Sequence, residues 1–161
     1  MSGAVVLRVG ERLLALPLDN VREVFRMVAV AAQLPRAPRH CLGVVDCRGR
    51  LLPVFDLGGR LGLHAPRTPA ALVDGHVVVV RDPVGEVGFA VDEVRELVDQ
   101  ETEPVDGAGS PALGRLTIGV VHCADGRVAP LLEEGTLLTV LARHQLRAAL
   151  AALDEALGGP V

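Results

Sequence analysis

The 161-residue chain has no Lys, no Trp and no Tyr, and its only aromatics are Phe25, Phe55 and Phe89. Each shortage removes a class of function. A P-loop needs its lysine, so Gly-rich stretches such as GVVDCRG and DGAG do not cradle phosphates in that way. All 16 cationic residues are Arg, they are scattered, and the net charge is −4. There is no basic stripe to neutralise a phosphate backbone, which argues against nucleic-acid binding. Grooves that grip polyproline peptides are lined by aromatics, and this chain cannot build one. Any recognition surface must use aliphatic side chains and a few charges.

No apolar run approaches the ~20 residues of a membrane span, so no direct membrane insertion is expected. The segment MSGAVVLRVGERL carries Arg8, Glu11 and Arg12 where a signal peptide would be apolar, which points to the cytoplasm. The three cysteines, Cys41, Cys47 and Cys123, are odd in number and match no zinc spacing. They read as small buried hydrophobes in a reducing compartment. The histidines, at 40, 64, 76, 122 and 144, form no metal spacing. His122 and Cys123 are neighbours on a strand and point to opposite faces, so they do not make a nucleophilic pair. No catalytic, cofactor or metal site is expected, and a small β-barrel enzyme stays only as a remote alternative.

What is present is a doubling. DNVREVF at 19–25 returns as DEVRELV at 92–98, an offset of 73, and LGVVDCRGRLLPVF at 42–55 is echoed by IGVVHCADGRVAPLL at 118–132. Order is preserved and the offset drifts only slightly, which marks an internal repeat. Repeat one covers about residues 5–63 and repeat two about 77–140, within one domain over 1–140. Each reads as five short strands: AVVLRV, RLLALPL, VREVF, LGVVDC and RLLPVFDL, then HVVVVRD, EVGFAV, VRELV, TIGVVHC and RVAPLL. Turn residues separate them, among them Asp19-Asn20. Gly49 after Arg48, and Gly126 after Asp125, mark hairpin turns. Pro53 points to an edge or a bulge, because it lacks a ladder donor.

The predicted fold is therefore all-β, two small five-stranded antiparallel barrels in a pseudo-duplicated arrangement. Whether the repeats exchange strands is open. LPRAPRH at 34–40 reads as an extended connection, HAPRTPAALVDG at 64–75 as the link between repeats, and 98–114 as a mobile acidic loop. At 141–161 the period becomes helical. Leu146, Leu150, Leu153 and Leu157 share a face, and Gly158-Gly159-Pro160 stops the helix. That amphipathic helix packs on a barrel or docks a partner.

The run LPRAPRHCLGVVDCRGRLLPVFDLGGRLGL resembles the signature region of the CheW-like chemotaxis coupling proteins. The matching positions are Leu34, Pro35, Pro38, Gly43, Val44, Arg48, Gly49, Pro53, Asp56 and Leu57. ALPLDNVREVF, VGFAVDEVREL and IGVVHCADGRVAPLL are similar to the family as well, so the resemblance covers about residues 5–140. It implies SH3-like barrels and a non-enzymatic adaptor. Such an adaptor links the cytoplasmic domain of a chemoreceptor to the regulatory domain of a CheA-type histidine kinase. It implies a receptor surface at Glu23 and Arg48, with Val21, Val24, Val44 and Val45 as aliphatic contacts, and a kinase surface at Phe89, Val91, Val94 and Leu97. A diverged member that keeps one interface, or serves a non-flagellar pathway, is the alternative. Asp46 stands where the family usually has Asn, and such a neighbour is expected to compete with Glu23 for Arg48. In repeat two Ala124-Asp125 replaces Arg-Gly.

Overall fold

A computed structural model describes residues 3–99 and 116–158. Most of the acidic loop predicted at 98–114, and Gly159 and Pro160 of the helix stop, lie outside these. Among these described residues there are ten strands: β1 Ala4–Val9, β2 Arg12–Pro17, β3 Val21–Arg26, β4 Cys41–Cys47, β5 Arg50–Asp56, β6 His76–Asp82, β7 Gly85–Val91, β8 Glu93–Val98, β9 Thr117–His122 and β10 Val128–Leu132. A one-turn helix, α1, covers Leu57–Arg60, and a long one, α2, covers Val140–Ala156.

The strands form two five-stranded SH3-like barrels, in the orders β8-β1-β2-β10-β9 and β3-β6-β7-β5-β4. Neither barrel belongs to one repeat. Each repeat gives its first two strands to one sheet and its last three to the other. Exchanging every strand for its counterpart in the other repeat converts one order into the other, so the molecule has a pseudo-two-fold axis. Details follow the same symmetry. Arg22 is the extra residue where β3 pairs with β6, and Arg95 is the extra residue where β8 pairs with β1. The one parallel pairing in each sheet is β5 with β7 and β10 with β2.

Sequence patterning explains which strands lie inside. Val77 and Val79 face the core of their own barrel, and Val78 and Val80 face a core shared between the barrels. Val77 to Val80 are apolar at four successive positions because both faces of β6 are covered there. In β1, Val6 and Val5 divide in the same way. The edge strands β3 and β8 bury one face at most, and their residues alternate.

The shared core also holds Phe55 and Phe89, ring centroids 6.0 Å apart, and Leu146 and Ala149 of α2. Thr139 caps α2 by accepting a hydrogen bond from the Ala142 N–H at 3.0 Å. Leu150 and Leu153 are partly buried against the core, and Leu157 is exposed. The helix thus packs on the body through the predicted stripe, except at its last leucine.

Two expectations are corrected. Pro53 lies in β5, which is flanked on both sides and is no edge. It is tolerated because pairing of β5 with β7 starts one residue later, at Val54. Residues 34–40 are not extended. The Ala37 N–H bonds the Leu34 carbonyl and the Cys41 N–H bonds the Pro38 carbonyl, giving two successive turns. Arg36 and His40 adopt left-handed φ values of +58° and +69° within them.

Candidate interaction surface

The surface is built where the ends of the second sheet curl toward each other. The chain after β3 returns to β4 through an isolated bridge between Ala32 and Val44. Gly43 makes this approach feasible. Its φ is +127°, and a Cβ there would meet the Ala32 carbonyl oxygen at 2.6 Å. The edges meet again at the β4–β5 hairpin. Arg48 and Gly49 are its two central residues, with φ of +55° and +85°, between paired Cys47 and Arg50. Positive φ at both positions is the type I′ geometry that suits a twisted hairpin. Asp46 Oδ1 accepts the Gly49 N–H at 2.8 Å.

This turn aims Arg48 at the neighbouring edge strand. Its Nη2 lies 3.2 Å from Glu23 Oε2 on β3. Asp46 caps the turn and does not draw Arg48 away, contrary to expectation. Beneath them, Cys47 Sγ lies 3.2 Å from Glu23 Oε1. Burial and the Glu23 carboxylate both push the Cys47 thiol above its usual range.

The charges continue beyond the predicted pair. Arg50 Nη2 is 3.7 Å from Glu23, and Arg50 Nη1 also bonds Glu86 of β7. Arg22 Nε reaches the other Glu86 oxygen at 3.0 Å. The Arg50 hydrogen bond outweighs partial burial and holds the Glu86 carboxyl below the usual range, and Arg22 adds to this. Alternating charges run Arg48, Glu23, Arg50, Glu86, Arg22. Sequence reasoning missed the last three because they meet only through strands far apart in the chain.

The aliphatic candidates divide. Val24 is 39% exposed and Val21 half-buried, whereas Val44 and Val45 are fully buried. Neighbouring residues of β4 face the shared core and the barrel's own core, so neither valine meets solvent. Among the kinase-facing candidates, Phe89 and Val91 are likewise core residues on β7. Val94 is partly buried and Leu97 is 67% exposed, both on the edge strand β8.

The symmetry-related corner is built differently. Glu96 Oε2 accepts the backbone N–H of Ala124 at 3.2 Å, where the first corner has an Arg side chain. The turn also differs from a two-residue Asp-Gly hairpin. The Gly126 N–H bonds the Cys123 carbonyl, Cys123 N–H bonds the Arg127 carbonyl, and only Gly126 of the pair has positive φ, at +88°. The loop is longer, with a left-handed glycine closing it.

A second polar cluster lies where the chain crosses between barrels. Asp56 is the one charged residue that is fully buried among those described. It accepts the Arg67 N–H at 3.2 Å, and Arg67 Nη1 reaches Asp92 at 2.9 Å. Asp92 also accepts the Gly10 N–H at 2.6 Å, tying the second barrel to the β1–β2 turn. Among the described residues, no group of His, Cys, Asp and Glu is arranged to hold a metal ion, and no helix is long and apolar enough to cross a membrane.

The fold defines a duplicated β-barrel module. The chain belongs to the CheW-like domain family, whose model matches residues 3–142. It is similar to a probable chemotaxis protein CheW of Rhizobium etli, 30% identical over 133 residues, spanning 80% of this chain and 82% of the relative. The chemotaxis protein CheW of Rhizobium meliloti matches to the same extent. The solved structure of the scaffolding protein TtCheW from Thermoanaerobacter tengcongensis shares the fold, with a TM-score of 0.71 at 23% identity, covering 88% of this chain and 94% of that one.

Proposed function

We propose that the chain is a non-enzymatic cytoplasmic adaptor of a bacterial chemosensory array. It couples the cytoplasmic tip of a chemoreceptor to the regulatory domain of a CheA-type histidine kinase. The observation that carries this reading is the family match over residues 3–142, nearly the whole chain, joined to relatives named as chemotaxis proteins. The Glu23–Arg48 corner is the receptor-facing surface, with Val21 and Val24 beside it and Val44 and Val45 supporting it from within. Val94 and Leu97 on β8 form the kinase-facing edge, resting on Phe89 and Val91. An edge strand offers unpaired backbone and an apolar side chain together, which suits end-to-end packing of barrels.

A second reading, in which only one partner interface is kept, draws on the missing arginine at the Glu96 corner. The test is pulldown of the full chain by the receptor tip and, separately, by the kinase regulatory domain. Arg48→Glu should lose the receptor, keep the kinase and leave the circular dichroism spectrum unchanged. Receptor capture unaffected by Arg48→Glu counts against the assigned surface. Wild-type capture by one partner alone favours the second reading.

A further inference from the structure

Resting on the adaptor reading, we propose that the ladder Arg48–Glu23–Arg50–Glu86–Arg22 and the notch beside it recognise a receptor segment in which an aliphatic side chain is flanked by carboxylates. The ladder is layered by height. The side chains of Glu23 and Glu86 are 21% and 23% exposed, whereas those of Arg48, Arg50 and Arg22 are 83%, 53% and 47% exposed. The carboxylates lie low and hold the guanidinium groups in place. The arginine side chains are the more exposed layer, and each guanidinium has more N–H donors than its carboxylate partners take up. Such a surface is poor for a cationic partner. It suits carboxylates, which match the planar fork in two-point hydrogen bonds.

Next to Arg48 is a notch of about 180 Å³ lined by Phe25, Val28 and Cys47, with Glu23, Asp46 and Arg48 at its rim. Pockets for small molecules run ~300–1,000 Å³, so this one suits a single aliphatic side chain better. Val28 is 45% exposed at its mouth. Asp46 brings a negative charge to the rim, but its Oδ1 is occupied by the Gly49 N–H. A wholly apolar partner would cover the Arg48 N–H donors that Glu23 does not take and leave them unpaired, which is unfavourable. Apolar anchor and flanking acid together satisfy both parts.

The experiment titrates the full chain with the receptor tip at two salt concentrations. Arg50→Glu and Arg22→Glu should each weaken binding roughly tenfold, and added salt should weaken the wild type more than either variant. Val28→Trp, which blocks the notch, should cost a similar factor. An acidic receptor residue changed to Arg should restore binding to Arg50→Glu. If Arg50→Glu fails to fold, Arg50→Gln and Val28→Trp carry the test. Wild-type affinity in the Arg22 and Arg50 variants, with Arg48→Glu still defective, overturns the ladder and leaves the adaptor reading standing. A wild-type chain that does not bind the receptor tip overturns both.

Discussion

Arg143, in the first turns of α2, holds Asp82 at the end of β6 through two hydrogen bonds, Nε to Oδ2 at 2.8 Å and Nη2 to Oδ1 at 2.9 Å. The same guanidinium also bonds the Gly135 carbonyl. The Asp82 side chain is 3% exposed, so its charge has little water to fall back on. Arg143→Met should destabilise the chain by about 3 kcal/mol, because it leaves a buried carboxylate without its partner. Asp82→Asn together with Arg143→Met should cost less than the single Arg143→Met change. Urea unfolding of the two variants checks the sign of this coupling. Equal losses would place the cost in the lost Arg143 side chain and not in an unpaired Asp82 carboxylate.

The β4–β5 turn yields a second prediction. Gly49 sits at φ +85°, where a β-branched residue is strained. Gly49→Val should cost roughly 1–3 kcal/mol in thermal or urea unfolding. Arg48 is itself left-handed, at φ +55°. Arg48→Gly should therefore be neutral or stabilising while receptor capture falls. That separation identifies a residue whose strained backbone serves placement of its side chain.

Much of this was legible in the chain. All ten strands follow from β-branched runs broken by turn residues, and the contrast between HVVVV and VREVF already separates a strand covered on both faces from an edge strand. The exchange of strands was not legible, because repeats this alike offer either barrel similar partners. The clue was the length of two links. One residue, Asp92, separates β7 from β8, and the short helical turn Leu18–Asn20 separates β2 from β3. Asp19-Asn20, taken only as turn residues between strands, left the crossing open. Val44 and Val45 misled in another way. Alternation would expose one of them, but a second core covers the face that would otherwise be wet. The turns at Arg36 and His40 escaped notice because neither is the glycine that left-handed φ normally favours.

Asp92 should make stability depend on acid pH. Burial alone would raise its carboxyl, but the Gly10 N–H and the Arg67 guanidinium outweigh this and hold it below the usual aspartate value of 3.8. A group depressed in the folded state adds stability that is fully present above its unfolded pKa. That stability is lost as pH falls through the lower, folded value. Asp92→Asn should therefore be less stable than wild type at neutral pH, and the gap should close as pH falls below about 4. Urea midpoints measured across that range decide it. A gap that stays constant would place the effect in the shape of the side chain and not in its charge.

The strand exchange predicts how the chain fails when cut. A fragment of residues 1–63 holds β1 to β5, but β3 has lost β6 and β5 has lost β7. Val5, Leu7 and Leu14 keep each other and lose Val78, Val80 and Phe89 across the shared core. The fragment should be unfolded alone, with no cooperative urea transition, and so should one of residues 64–161. Mixed in equal amounts, they should regain β-sheet circular dichroism, because each supplies the strands the other lacks. A 1–63 fragment that folds by itself would mean that a repeat can close its own barrel and that the exchange is a choice between two nearly equal pairings. Failure of the mixture, with the intact chain folding normally, would show that joining the halves in one chain is needed to overcome the entropy of bringing them together.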